Sequence, residues 1–107
     1  MRLVYSDAVL NDLLNITGYI GEQLDNNFAA QKIRAEIVKG CGILKQYPLA
    51  GMSVGRRMDK DLGIGLRYLV IGKYLAFYHI VNDSVIIVRV FDSRTDYIRN
   101  NIFNDMR

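Results

Sequence analysis

The chain has 107 residues, half of them hydrophobic, with one proline and no compositionally biased segment, so it makes one ordered domain spanning 1–107. Its longest apolar runs are strand length, which excludes a transmembrane helix, and no secretory signal follows Met1-Arg2; the single cysteine, Cys41, excludes an internal disulfide and fits a reducing cytoplasm. The net charge is +3, and residues 54–107 hold nine basic and six acidic side chains against five and five in 1–53, so an acidic protein or nucleic-acid partner would be steered to the C-terminal half.

In chain order, Arg2–Tyr5 reads as a short apolar strand. Ser6-Asp7 form an N-cap pair, and apolar residues then recur at Val9, Leu13, Ile16 and Ile20, which predicts a helix from about Asp7 to Leu24 with Asp12 and Glu22 on its wet side. Asp25-Asn26-Asn27 break it and cap a second helix carrying Ala30, Ile33, Ile37, Cys41 and Leu44 up to Tyr47. Pro48 stops this helix, because the residue before proline is pushed out of the helical region. Gly18, Gly21, Gly40 and Gly42 interrupt the two helices and are expected where the hairpin packs closely on itself or on the sheet. A long exposed connection follows, containing the charged run Arg56 to Asp61 (RRMDKD).

The stretch from Gly65 to Arg94 then reads as an antiparallel meander. Its strands are Leu66–Ile71, Tyr74–Val81 and Ser84–Phe91, rich in Val, Ile, Tyr and Phe. Gly72-Lys73 and Asn82-Asp83 separate them as two-residue turns whose residues tolerate positive φ. A short terminal helix is expected around Ile98, Ile102 and Phe103. The order β-α-α-β-β-β implies an α+β, two-layer fold, with the N-terminal strand and helix hairpin packed on an antiparallel four-stranded sheet. Strand alternation puts Leu66, Tyr68 and Val70 with Ile86, Val88 and Val90 on a wholly apolar face. Arg67, Leu69 and Ile71 fall with Ile87, Arg89 and Phe91 on the other, which would stay open and is too apolar for water, so a protein partner is expected there.

No metal-ligand cluster, phosphate loop or cofactor motif appears, and no cofactor is expected. His79, mid-strand, reads as a hydrogen-bonded structural residue, and Cys41, on the apolar stripe, as core. What remains is a basic and aromatic set: Arg67, Arg89 and Arg94 with Tyr97, and Arg56, Arg57 and Lys60 in the loop. Such residues can cleave RNA without a metal, arginines stabilising the pentacoordinate phosphate while a lysine or tyrosine moves protons. The structural alternative pairs the arginines with Asp92 or Asp96 and leaves Tyr97 at the core edge.

Taken together, the fragments Asp12-Leu13 with Tyr19-Ile20, Ile37 through Leu44, Tyr47-Pro48, Gly51, Gly65-Leu66-Arg67, Tyr74 through Ile80, Ile87 through Phe91, and Arg94 before Asp96 resemble the RelE/ParE superfamily of type II toxins, and its ParE branch in particular. That resemblance covers nearly the whole chain. It implies a cytoplasmic growth inhibitor, neutralised by a cognate antitoxin with an acidic or amphipathic tail and acting on DNA gyrase without catalysing a reaction. Arg67, Leu69, Ile71, Ile87, Arg89, Phe91 and Arg94 would then contact partners. In the RelE-like alternative the chain is a ribosome-dependent mRNA endonuclease, with Arg67 and Arg94 holding phosphate and Tyr97 or Lys60 moving protons. A homologue that binds its antitoxin but has lost toxicity is the third reading.

Overall fold

A computed structural model of the chain describes residues 1–23, 27–54 and 65–94, with side-chain surroundings given for all of these but 19–23 and 27. The elements are β1 (Arg2–Tyr5), α1 (Asp7–Gln23), α2 (Asn27–Gly42), β2 (Met52–Ser53), β3 (Leu66–Ile71), β4 (Tyr74–Val81) and β5 (Ser84–Asp92), with a 3₁₀ turn at Ile43–Lys45 after α2. Helices and sheet form the two expected α+β layers. The expected C-terminal helix and the run Arg56 to Asp61 lie outside the described residues.

The sheet is five-stranded and mixed, in the order β1-β5-β4-β3-β2. It departs from an antiparallel sheet of four in two ways. β1 lies parallel to β5, with Arg2 beside Ser84 and Tyr5 beside Ile87. A parallel neighbour requires a crossover, and the helix pair provides it. The second departure is the edge strand β2, whose Met52 and Ser53 pair with Tyr68 and Arg67. Two residues are too few to register as a strand by alternation alone.

Local chemistry sets several element ends where the sequence placed them, but α2 stops at Gly42 and passes into the 3₁₀ turn, short of the Tyr47 end expected from Pro48. Ser6 Oγ accepts the Val9 N–H at 3.2 Å, the N-cap bond that starts α1, and donates to the Val88 carbonyl at 3.0 Å. Gly72 and Asn82 take positive φ of 59° and 54° in the two meander turns. One helix glycine is a close-approach position: a Cβ on Gly40 would sit 2.8 Å from Ile71 Cδ1, so α2 lies against β3 there. Gly18 and Gly42 face open space, and Gly21 lies outside the residues with described surroundings.

The main core joins Val9, Leu13, Ile37, Cys41 and Leu44 of the helical layer to Tyr74, Ala76, Tyr78, Val85, Ile87 and Val90 of the sheet, with Leu69 and Ile71 packed against it. Leu66, Leu75, Phe77 and Phe91 form a second buried cluster. This reverses the expected faces. Leu69, Ile71 and Ile87 lie on the side the helices cover, and Ile87 is fully buried. A β-bulge in β5 explains why Ile87 and Phe91 part company: Tyr78 pairs with Ile87 and Phe77 with Arg89, leaving Val88 as the extra residue. One inserted residue resets strand parity, so Ile87 and Val90 share the helix side. Cys41 sits within the main core as expected, and burial pushes its thiol up to about 11, which leaves it inert at neutral pH.

Candidate partner-binding surface

Arg67, the first arginine of the expected phosphate set, is engaged in holding a turn. Tyr47 to Ala50 form that turn, with Pro48 at its second position and an Ala50 N–H to Tyr47 carbonyl bond of 3.0 Å. Arg67 Nη2 donates to the carbonyls of Leu49 at 3.3 Å and Gly51 at 2.6 Å. Beside it in the register, Tyr78 donates its hydroxyl to the Pro48 carbonyl at 2.7 Å and accepts the Gly51 N–H at 3.0 Å. Charge-assisted bonds from Arg67 anchor the segment to β3, and the neutral Tyr78 hydroxyl anchors it to β4.

Arg89 is engaged as well. Asp12 of α1, expected on the wet side, is 7 % exposed and receives Arg89 bidentately at 2.9 Å through Nε and Nη2. The same carboxylate accepts the Val90 N–H at 2.9 Å. The cause is β1, which ends opposite Ile87 and leaves the rest of β5 without a strand neighbour on that edge. The Val90 N–H therefore needs another acceptor, and α1 brings Asp12 to it. The guanidinium also lies 4.5 Å from the centre of the Phe91 ring, a cation–π contact onto the second cluster.

Arg94 sits on the surface and folds back on Asp92, with Nε and Nη2 at 3.0 and 2.9 Å from the two carboxylate oxygens and its N–H at 2.9 Å. These bonds hold the Asp92 carboxyl down at about 2, against an ordinary 3.8. A depressed carboxylate stabilises the fold above its unfolded value, and that contribution is lost as pH falls from about 4 toward 2. With the Arg94 side chain 80 % exposed, water screens the pair to below ~1 kcal/mol. An NMR titration should place the Asp92 midpoint near 2 and show it rising in Arg94→Gln; an ordinary midpoint in the wild type would contradict this geometry.

Arg67 and Arg94 are not neighbours. Arg67 is level with Tyr78 and Asp92 with Tyr74, two strands apart from Arg67. Tyr74 and Tyr78 stand four residues apart on β4, or ~13 Å along the strand. The guanidinium groups of Arg67 and Arg94 are held separately, Arg67 on the carbonyls of the 47–51 turn and Arg94 on Asp92. Lys60 and Tyr97 lie outside the described residues, and among the described residues no cluster of His, Cys, Asp and Glu could hold a metal ion.

The sequence reading missed an exposed apolar groove on the helix hairpin. Leu10, Leu13, Leu14 and Thr17 of α1 and Arg34 of α2 line a cavity of about 150 Å³. Leu10 and Leu14 are 48 % and 64 % exposed. The signal was legible: Leu10 and Leu14 make a second i, i+4 stripe beside Val9, Leu13 and Ile16. Of the residues expected to meet a partner, Ile87 and Phe91 are buried and Leu69 and Ile71 pack on the main core.

Comparison with known proteins places this geometry. A family model described as the ParE toxin of the type II toxin–antitoxin system parDE matches residues 3–97. No curated protein is a significant match. A chain in the solved structure of the chromosomal ParDE system from P. aeruginosa is similar in fold, with a TM-score of 0.70 and 21 % identity, the match covering 86 % of this chain and 95 % of that one.

Proposed function

This chain belongs to the ParE toxin family of type II toxin–antitoxin systems, and on that premise we propose that it arrests growth in the cytoplasm by binding DNA gyrase, catalysing no reaction itself. Its cognate antitoxin silences it. The observation that carries the binding reading is the state of the arginines. Arg67 is bonded to turn carbonyls, Arg89 to Asp12 and Arg94 to Asp92, so each guanidinium already has a partner within the chain.

The antitoxin's seat is the groove on the hairpin. Apolar and exposed, with Arg34 at its rim, the groove suits an amphipathic helix that inserts leucine-like side chains and sets a carboxylate against the guanidinium. No helix among the described residues is long and apolar enough to cross a membrane.

A supercoiling reaction with purified gyrase and toxin tests the target. Blocked supercoiling with accumulating linear DNA, reversed by the protein encoded beside the toxin, is the expected result. Unimpaired supercoiling by a folded, growth-arresting toxin, together with cleaved transcripts in arrested cells, would replace this reading with the ribosome-dependent mRNA endonuclease.

A further inference from the structure

The hairpin groove lies between two helices that are docked on the sheet at different strands. α2 approaches β3 so closely at Gly40 that a Cβ there would sit 2.8 Å from Ile71 Cδ1. α1 packs on β5, on the other side of β4. Apolar contacts carry both dockings. Val9, Leu13 and Ile16 pack into the main core from α1, and Ile33, Ile37 and Cys41 from α2. Burial of apolar surface is non-directional, so it presses α1 onto the sheet without choosing the rotation of the helix about its own axis.

Asp12 makes that choice. Its carboxylate meets Arg89 Nε, Arg89 Nη2 and the Val90 N–H, each at 2.9 Å, and three directional bonds to one strand fix how the helix is turned. At about 3.6 residues per turn, Leu10 and Leu14 project roughly 160° around α1 from Asp12, with Val9, Leu13 and Thr17 spread between. The ion pair and the two exposed leucines therefore stand on opposite sides of one cylinder, and a rotation of α1 that slackens the pair displaces both leucines. Leu13 belongs to both places, since it sits in the main core and lines the groove with Arg34. The Arg89 end is itself braced, its guanidinium lying 4.5 Å from the centre of the Phe91 ring in the second cluster.

We propose that Asp12 and Arg89 are positioning residues for antitoxin binding: their pair sets the rotation of α1 and so holds Leu10 and Leu14 in the arrangement that receives the partner helix. The inference rests on the reading of the groove as the antitoxin's seat, and does not require the toxin's target to be gyrase. A partner that meets a seat already in shape loses less freedom on binding, so the pair contributes to affinity without touching the partner. The coupling is reciprocal, and a bound antitoxin steadies the pair in turn.

The test uses the full chain with Asp12→Asn and, as a second variant, Arg89→Lys, each keeping a polar group at its position. Gly51→Ala at the β2 edge weakens the fold away from α1 and serves as the control, and Leu14→Arg alters the groove at a side chain 64 % exposed. Each is measured for thermal unfolding and, at a temperature where it is folded, for binding to the purified protein encoded beside the toxin, with amide exchange followed in α1. The two pair variants should bind roughly tenfold more weakly and exchange faster in α1, while Gly51→Ala binds as wild type does. Folded pair variants that bind like wild type would overturn the proposal. So would an equal loss of affinity in Gly51→Ala, because the loss would then follow stability alone. Leu14→Arg tests the seat itself. If it binds as tightly as wild type, the groove reading falls and the proposal with it; if it binds weakly while the pair variants do not, only the proposal falls.

Discussion

Replacing Asp12 by alanine is expected to lower the unfolding free energy by about 3–5 kcal/mol, the range for stranding one member of a buried ion pair. For a chain of this length that corresponds to a fall in Tm on the order of 15 °C. The carboxylate meets three donors, Arg89 Nε, Arg89 Nη2 and the Val90 N–H, each at 2.9 Å. Both side chains are withdrawn from water, at 8 % exposed for Asp12 and 18 % for Arg89. Alanine removes the charge that compensates the guanidinium and leaves a buried backbone donor without its acceptor. Arg89→Met added to Asp12→Ala should recover part of the loss, since no charge is then stranded. Thermal unfolding of the two variants decides the matter. An Asp12→Ala protein within about 1 kcal/mol of wild type would mean the pair contributes little, as surface pairs do.

Gly51→Ala should cost ~2–3 kcal/mol, the upper part of the range for adding a methyl to a site with no room for it. The added methyl would lie 2.6 Å from the Tyr68 carbonyl oxygen and from Tyr78 Oη. Neither neighbour yields easily. The carbonyl belongs to the β3 backbone, and Tyr78 is fully buried in the main core. The chain must instead lift the turn, which loses the Tyr78 bonds to Pro48 and Gly51 and stretches those of Arg67. A lower guanidinium midpoint with an unchanged slope is the expected signature. An alanine variant as stable as wild type would show the turn to be loosely held. Tyr78→Phe tests the same contacts without overpacking. The double variant should cost less than the sum of the two, because both changes break one set of bonds.

Much of this molecule was legible from residue order. Alternation and turn chemistry marked the meander, with Gly72 and Asn82 at positive φ where the turns required it. Helical spacing and Ser6 marked α1, and the stripe Ile33, Ile37, Cys41 and Leu44 marked the inner side of the second helical stretch. These signals are local, since each depends on residues a few positions apart. The two-layer α+β arrangement and the family resemblance followed from their order.

The site did not follow, because its placement depends on contacts between residues 11 to 78 positions apart. Strand parity held until Val88 and then reversed, and a bulge leaves no mark in the alternation of an all-apolar run such as Val85 to Val88. Asp12 looked solvated on a helical wheel. It is buried because β1 stops at Tyr5 and the Val90 N–H needs an acceptor from another element. Arg67 looked free for phosphate, but the chain folds a turn beneath it whose carbonyls it binds. The sequence by itself determined the two helices, the meander strands and their turns, though not the edge strand β2 or the end of α2, since propensity and hydrogen-bond capacity act within a few residues. Only the tertiary structure decided which arginines hold the fold together and which apolar side chains stay exposed, because long-range packing and backbone hydrogen bonding assign those places.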